Sequence, residues 1–154
     1  MTKAEASRRV RALLKGIKKK HGEGVLVTTD PEGNPHAAWM GTIDTSDIRR
    51  VLTMTSPDCR KAINILQNPK VEWMFTDKRL ETVVYLRGKA RVIHELPELE
   101  TAWLSLEDKS RAYFMQYIND IGMQFLIIET AVEEIEYTQP KLNVYEKIIA
   151  PFSQ

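Results

Sequence analysis

The chain has 154 residues, of which 43% are hydrophobic and 28% charged, a composition that suits one compact domain and excludes a two-lobed enzyme. The single cysteine argues against a disulfide framework, and the three scattered histidines argue against a metal site. The chain has no apolar run of about 18 residues, which argues against a membrane span, and we expect a cytoplasmic protein. The net charge of +1 conceals two basic blocks that could bind an anion, because the successive charges are +7 for residues 1–21, −5 for 22–48, +6 for 49–91 and −7 for 92–154.

Residues 1–21 are predicted to form an amphipathic helix that Gly22 closes. Its apolar residues recur at steps of three and four, the spacing of one helix face, and are Ala6, Val10, Leu13, Leu14 and Ile17. The opposite face is basic, and we expect it to be exposed to solvent. The alternative is an adaptor that binds nucleic acid or an acidic membrane surface, but this face lacks the interleaved aromatic residues that stack on single strands.

Residues 22–93 are predicted to form the core of a small β-barrel. Five segments have the β-branched or alternating apolar pattern of strands, namely 24–29, 36–43, 50–55, 71–75 and 82–93. Turn-forming residues separate the first two, which are therefore predicted to pair as a hairpin. Gly88 is predicted to mark a bulge or a close approach of two backbones. A helix is predicted over residues 57–68, with Ser56 as its cap and Pro57 at its first position.

Residues 94–122 are predicted to be helical, in two segments, and residues 123–138 to form a terminal strand. The remaining residues, 139–154, are expected to form a C-terminal tail. About six antiparallel strands broken by short helices predict a mainly β chain of the α+β class. We expect one barrel domain over residues 1–154 rather than a doubly wound parallel sheet.

The start of the predicted helix 57–68 has the features of an anion site. A strand that runs into a helix leaves free amides and the positive end of the helix dipole at the junction. Arg60 and Lys61 add two adjacent cations, and hydroxyl groups precede them at positions 53, 55 and 56. An arginine fork beside a lysine suits the oxygens of a phosphate monoester. The alternative is an ordinary capped surface helix, and the chain has no glycine-rich nucleotide loop.

Six short motifs follow one another along the chain. They are Asn34-Pro35-His36, Thr55, Cys59-Arg60-Lys61-Ala62, Asn68-Pro69-Lys70-Val71, Gly88-Lys89-Ala90 and Ile135-Glu136-Tyr137. In their order and spacing, the chain resembles the FMN-binding split barrel of the pyridoxamine 5′-phosphate oxidase superfamily, and is most similar to its general stress protein branch. The resemblance covers residues 22–93 with few gaps, together with the terminal strand.

This resemblance implies a homodimer of split barrels that binds FMN at the interface between its subunits. Arg60 and Lys61 match the pair that binds the FMN phosphate in the family. Met54 and Thr55 match the adjoining cofactor contacts. The implied phosphate site therefore coincides with the anion site that the residue types indicate.

The flavin ring, by the same resemblance, lies along the backbone of a strand. The matching positions are Trp39, Met40, Gly41 and Thr42. From residue type alone, the first two side chains fit the barrel core equally well. The chain departs from the oxidase at Ala38, where that enzyme has an arginine, and at Val83, where it has a glutamine toward the ring. Nor does it have the arginine and histidine that hold the vitamin phosphate after the terminal strand, so true pyridoxine phosphate oxidase activity is not expected.

The leading hypothesis is an FMN-dependent oxidoreductase that acts on a small-molecule substrate or electron donor, with hydride transfer at flavin N5. The alternative is a non-catalytic flavin-binding stress or electron-carrier protein. Haem binding, deazaflavin binding and the nucleic-acid adaptor are further alternatives with less support. Cys59 is interpreted as a small residue near the phosphate rather than a reactive thiol, because no histidine base is adjacent to it in sequence.

Overall fold

The computed structural model describes residues 1–19, 23–121 and 124–152, of which 17–19, 46 and 117–121 are described by their backbone only. Gly22, the predicted end of the first helix, and Met123, at the start of the predicted terminal strand, lie outside these ranges. Over the described residues, no helix is both long and apolar enough to cross a bilayer.

Four helices flank one sheet of eight strands in the part of the chain that is described. The helices are α1 (Lys3–Lys19), α2 (Arg60–Gln67), α3 (Leu96–Ser105) and α4 (Asp108–Ile121). The strands are β1 (Gly24–Thr29), β2 (Pro35–Met40), β3 (Ile43–Asp47), β4 (Arg50–Thr55), β5 (Lys70–Thr76), β6 (Val83–Ile93), β7 (Leu126–Gln139) and β8 (Val144–Ile149). A 3-10 turn, Pro140–Leu142, joins the last two strands.

The sheet is antiparallel throughout, in the order β2-β1-β5-β6-β7-β4-β3. One edge of β7 pairs with β6, while its other edge pairs first with β4 and then with β8. The long strands β6 and β7 thereby connect the two parts of the sheet, which curls into a half-barrel. The predicted class, mainly antiparallel β with flanking helices, is confirmed, with eight strands rather than about six.

The core is apolar and covered on one side by α1. Its largest fully buried side chains include Trp73, Phe75, Leu86 and Ile135. The apolar face of α1, with Ala6, Val10 and Leu14, is buried against this cluster, whereas the side chains of its basic residues 8, 9 and 15 are exposed. A smaller cluster under α3 and α4 comprises Leu52, Met54, Ile93, Ala102, Leu106, Phe114 and Ile127. Each fully buried large side chain contributes about 1.5–3 kcal/mol, which fixes the helices on the sheet.

The predicted helix 57–68 begins three residues later than expected, at Arg60. Ser56 does not cap it, and Pro57 lies in a turn that precedes the helix. Proline suits the second position of a turn as well as the first position of a helix, and here the turn prevails. Cys59, with extended backbone, occupies the N-cap position instead.

The predicted strand 36–43 is in fact two strands, because the pairing is interrupted at Gly41 and Thr42, where the chain leaves β1 and goes on to pair with β4. The Thr42 hydroxyl donates to the backbone of β4, which fixes the chain at this interruption. The predicted tail 139–154 contains β8. Asn143, with φ of 53°, reverses the chain before β8, and asparagine is one of the few residues that adopt this left-handed conformation readily.

The predicted bulge at Gly88 is confirmed. The register between β6 and β7 shifts between Arg87 and Gly88. A Cβ atom at position 88 would lie 1.9 Å from the carbonyl oxygen of Ala131 on β7. Glycine is therefore required here by a contact between two backbones.

Arg87, on β6, is at the centre of a cluster of charges on three adjacent strands. Its guanidinium contacts Glu72 at 2.8 Å, Glu134 at 2.7 Å and Glu136 at 2.8 Å, across β5, β6 and β7. The hydrogen bond from Arg87, assisted by Lys147, lowers the pKa of Glu134 below its usual value. One arginine thereby offsets the mutual repulsion of three carboxylates.

Replacing Arg87 with methionine is expected to lower the free energy of unfolding by about 1–3 kcal/mol at pH 7, because three partly exposed pairs contribute up to about 1 kcal/mol each. A lowered carboxyl pKa stabilises the fold above the unfolded-state pKa and ceases to do so as the pH falls below it. The difference from wild type should therefore shrink between about pH 5 and pH 3 in urea unfolding. Lys89→Met, on the same strand, is the control, and a constant difference across this range would contradict the assignment.

Candidate functional site

The start of α2 lies beside the end of β4, and its amides are available to a ligand. No side chain caps this helix at Cys59. The first turn of a helix leaves amides without intrahelical partners and carries the positive end of the helix dipole. Arg60, which is exposed, and Lys61, which is half-buried, are the first two residues of α2. Two cations and the amides of a first turn without a side-chain cap thus share one helix end.

Arg60 contacts the β1–β2 hairpin through a histidine. Its Nη1 atom lies 3.2 Å from Nδ1 of His36, and Nε2 of His36 lies 2.8 Å from Oδ2 of Asp30. The hydrogen bond from His36, together with the backbone amide of Asn34, lowers the pKa of Asp30 to about 2. The Asp30 carboxylate is therefore ionised at neutral pH, and a chain of three polar side chains connects the hairpin to α2.

A second set of hydrogen bonds connects the end of β4 with the residues that follow β2. The Thr42 hydroxyl donates to the carbonyl oxygen of Met54 at 2.6 Å, and the amide of Met54 donates to the carbonyl oxygen of Thr42 at 3.3 Å. At the next residue of β4, the Thr55 hydroxyl donates to the sulfur of Cys59 at 3.6 Å. The predicted site residues on β4, at the start of α2 and after β2 are therefore brought together.

β2 runs between these two contacts, from His36 near Arg60 to Met40 before Thr42. Four residues of extended strand correspond to about 13 Å. Met40 is buried in the core, whereas Trp39 points to the other face of the strand and is 68% exposed. The interpretation of these side chains as barrel core is therefore confirmed for Met40 and wrong for Trp39, which is exposed on this chain.

Within one chain, Val83 lies far from the predicted site residues on β4, at the start of α2 and after β2. It is the first residue of β6, whereas Met54 aligns through Ile127 of β7 with Ile93, the last residue of that strand. Ten residues, or about 33 Å along the strand, separate the two positions on β6. A role for Val83 toward a cofactor stays a prediction.

A large apolar cavity adjoins the start of α2. It has a volume of about 700 Å³ and is lined chiefly by α3 and by the residues that lead into β7, with residues that include Pro57, His94, Leu99, Trp103, Phe125 and Leu126. Leu126 pairs with Thr55 across β4 and β7, so the cavity lies next to the candidate anion site. Its lining offers few polar groups, which suits a flat or apolar part of a ligand.

Asp30 and His36 adjoin the site through Arg60, although no sequence motif for an anion site includes them. The turn between β1 and β2 is closed by Asp30, whose Oδ1 accepts from the amides of Glu32 and Asn34 at 3.0 and 2.8 Å. Thr28 pairs with His36 across the hairpin, and Asp30 lies two residues beyond Thr28 on the same face, so the side chains at 30 and 36 are diagonal neighbours. Their contact with Arg60 depends on how α2 packs, which no local pattern indicates.

A family model described as pyridoxamine 5′-phosphate oxidase matches residues 9–139, which is most of the chain. The chain belongs to the pyridoxamine 5′-phosphate oxidase family. No curated protein matches it. The motifs around Arg60 and Gly88 therefore lie within the part of the chain that the family model covers.

Solved structures of this family share the fold. General stress protein 26 of Bacillus anthracis is 18% identical, with 92% of this chain and 98% of that chain covered and a TM-score of 0.66. A Clostridium acetobutylicum protein related to general stress protein 26 is 15% identical, with 91% and 96% covered and a TM-score of 0.68. A pyridoxamine 5′-phosphate oxidase-related, FMN-binding protein of Nostoc punctiforme is 13% identical, with 93% and 86% covered and a TM-score of 0.64. At these identities the likeness shows the fold, and the predicted split barrel is confirmed.

The donor set at the start of α2 fits a phosphate monoester, the charged end of many cofactors. Arg60 offers a planar fork, Lys61 a point charge and the uncapped helix its amides, so a doubly charged group would be neutralised and hydrogen bonded. Next to it, the residues that follow β2 present backbone rather than charged side chains. In this member of the pyridoxamine 5′-phosphate oxidase family, the positively charged start of α2 thus adjoins a largely uncharged backbone segment after β2.

Proposed function

We propose that this chain is an FMN-binding flavoprotein whose phosphate site is formed by Arg60 and Lys61. The observation that carries the proposal is the position of both cations on the first turn of an uncapped helix, beside the Thr55 hydroxyl. Membership of the pyridoxamine 5′-phosphate oxidase family supports it, as does the FMN-binding relative from Nostoc punctiforme.

Residues 39–42, with Met54, are proposed to lie along the flavin ring. The hydrogen bonds between Thr42 and Met54 keep this backbone close to the end of β4. Gly41 has no side chain, so the ring could approach the backbone there. When bound, the flavin supplies two-electron redox chemistry, and the residues of the chain bind and orient it.

The functional unit is proposed to be a homodimer with FMN at its interface. The exposed indole of Trp39 and the exposed apolar side chains of Ile63 and Leu66 on α2 support a covered surface near the site. A dimer would also allow Val83 of one subunit to approach the cofactor bound by the other. We further propose a cytoplasmic oxidoreductase of a small-molecule substrate. It is distinct from pyridoxine phosphate oxidase because the arginine and histidine that hold the vitamin phosphate after the terminal strand are missing, and no histidine follows His94.

FMN is expected to co-sediment with the purified protein in a species of about twice the chain mass, because its phosphate and ring both contact the proposed site. Sedimentation followed at the visible absorption of the flavin measures both properties together. Riboflavin, which lacks the phosphate, is the control and should bind at least about a hundredfold more weakly. Absence of co-sedimenting FMN would overturn the cofactor proposal, whereas FMN on a monomer would overturn only the dimer.

A further inference from the structure

We propose that His36 is a positioning residue that holds the guanidinium of Arg60 in place for the phosphate of FMN. This inference rests on the proposed function and adds to it a residue from the β1–β2 hairpin, outside the Arg60 and Lys61 pair. It assigns to His36 an indirect role, exerted through Arg60.

The hydrogen bonds define the protonation of the imidazole. A guanidinium can only donate, so Nδ1 of His36 must accept the hydrogen bond from Nη1 of Arg60 at 3.2 Å. Nε2 must then carry the proton and donate to Oδ2 of Asp30 at 2.8 Å. His36 is therefore a neutral acceptor toward Arg60, and it uses only one of the five N–H groups of the guanidinium. The others remain available to a phosphate.

The other end of this chain of hydrogen bonds is rigid. The carboxylate of Asp30 also accepts hydrogen bonds from the backbone amides of Glu32 and Asn34, which close the hairpin turn. His36 therefore connects a long, exposed arginine side chain to a fixed turn. Asp30 from the turn and Arg60 from α2 are the charged groups in hydrogen-bond contact with it.

The packing of α2 does not depend on His36. Asn64, buried in the middle of α2, donates from its Nδ2 to the hydroxyl of Thr28 on β1 at 3.1 Å, and Ala62 and Ile65 are buried in the core. Removal of the imidazole should thus leave the helix in place and release only the Arg60 side chain. An arginine that is free to rotate loses side-chain entropy when it binds a ligand, which weakens the interaction.

The test measures FMN dissociation constants for substitutions that separate the two ring nitrogens. In His36→Asn, the amide oxygen can replace Nδ1 as acceptor for Arg60, whereas in His36→Gln the amide is placed like Nε2 and serves Asp30. We expect His36→Ala and His36→Gln to weaken FMN binding about tenfold, the loss of one hydrogen bond, and His36→Asn to bind nearly as wild type does. In an Arg60→Ala background, His36→Ala should change the affinity no further.

Several results would overturn the inference. Equal affinity of wild type and His36→Ala, an equal loss in His36→Asn and His36→Gln, or an undiminished effect in the Arg60→Ala background would each refute positioning while leaving FMN binding established. Failure of the wild-type protein to bind FMN would instead refute the proposed function. Nitrogen-15 NMR of the flavin-free protein gives an independent readout, because an Nδ1-protonated neutral ring would contradict the assigned hydrogen bond.

Discussion

Joint replacement of Arg60 and Lys61 with alanine is expected to weaken FMN binding more than a hundredfold while the protein stays folded. Two charge-assisted contacts with the phosphate are lost, at about 1.5–3 kcal/mol each. Both residues begin α2, and the side chains that fix this helix on the sheet are others: Ala62, Asn64 and Ile65. The loss should therefore appear in affinity and leave thermal unfolding nearly unchanged.

Fluorescence quenching of FMN on titration with each variant measures the effect. Lys78→Ala with Arg79→Ala is the matched control, because it removes the same two charges from exposed positions outside the site. Riboflavin affinity should be the same in all three proteins, since riboflavin has no phosphate. An equal loss in the control pair would attribute the effect to net charge, and unchanged FMN affinity in the Arg60 and Lys61 variant would refute the phosphate site.

Local sequence features indicated the candidate anion site at the start of α2 because its components are adjacent in the chain. Arg60 and Lys61 are neighbours, and the strand that precedes them was evident from its β-branched residues. The contact between Arg60 and His36 spans 24 residues, and it requires α2 to pack against the β1–β2 hairpin, as it does where Asn64 of α2 bonds to Thr28 of β1. Such a contact follows from packing, which a pattern within one segment does not encode.

The errors in the predicted fold have the same origin. Pro57 is compatible with a turn and with a helix start, so residue type alone does not decide between them. The break after β2 depends on a hydrogen bond from Thr42 to β4, twelve residues away in the chain. The residues of β8 alternate between exposed positions and buried or half-buried ones. They form a strand because β4 pairs with only the first part of β7 and leaves the edge of its second part for β8. Gly88, by contrast, was identified correctly, because an isolated glycine within a strand pattern is typical of a bulge or a close backbone contact.

Replacing Gly88 with alanine is expected to destabilise the fold by about 3 kcal/mol or more, the second large effect that the structure predicts. The added methyl carbon would lie 1.9 Å from a backbone oxygen, that of Ala131, and 2.9 Å from the carbonyl carbon of the same residue. Neither atom belongs to a flexible side chain. The overlap can therefore be relieved only by opening the pairing between β6 and β7, the two strands that connect the sheet.

Gly16→Ala in α1 provides the matched control, since the same chemical change there meets no atom within 4 Å. It should stabilise the protein by roughly 0.5–1 kcal/mol, because alanine replaces glycine inside a helix. Urea unfolding should therefore show changes in the free energy of unfolding of opposite sign for the same glycine-to-alanine substitution at the two positions. Destabilisation of similar size in both would mean that any added methyl group perturbs this chain. A neutral Gly88→Ala would mean that β6 and β7 separate without cost at the bulge, and hence that the bulge does not hold the two parts of the sheet together.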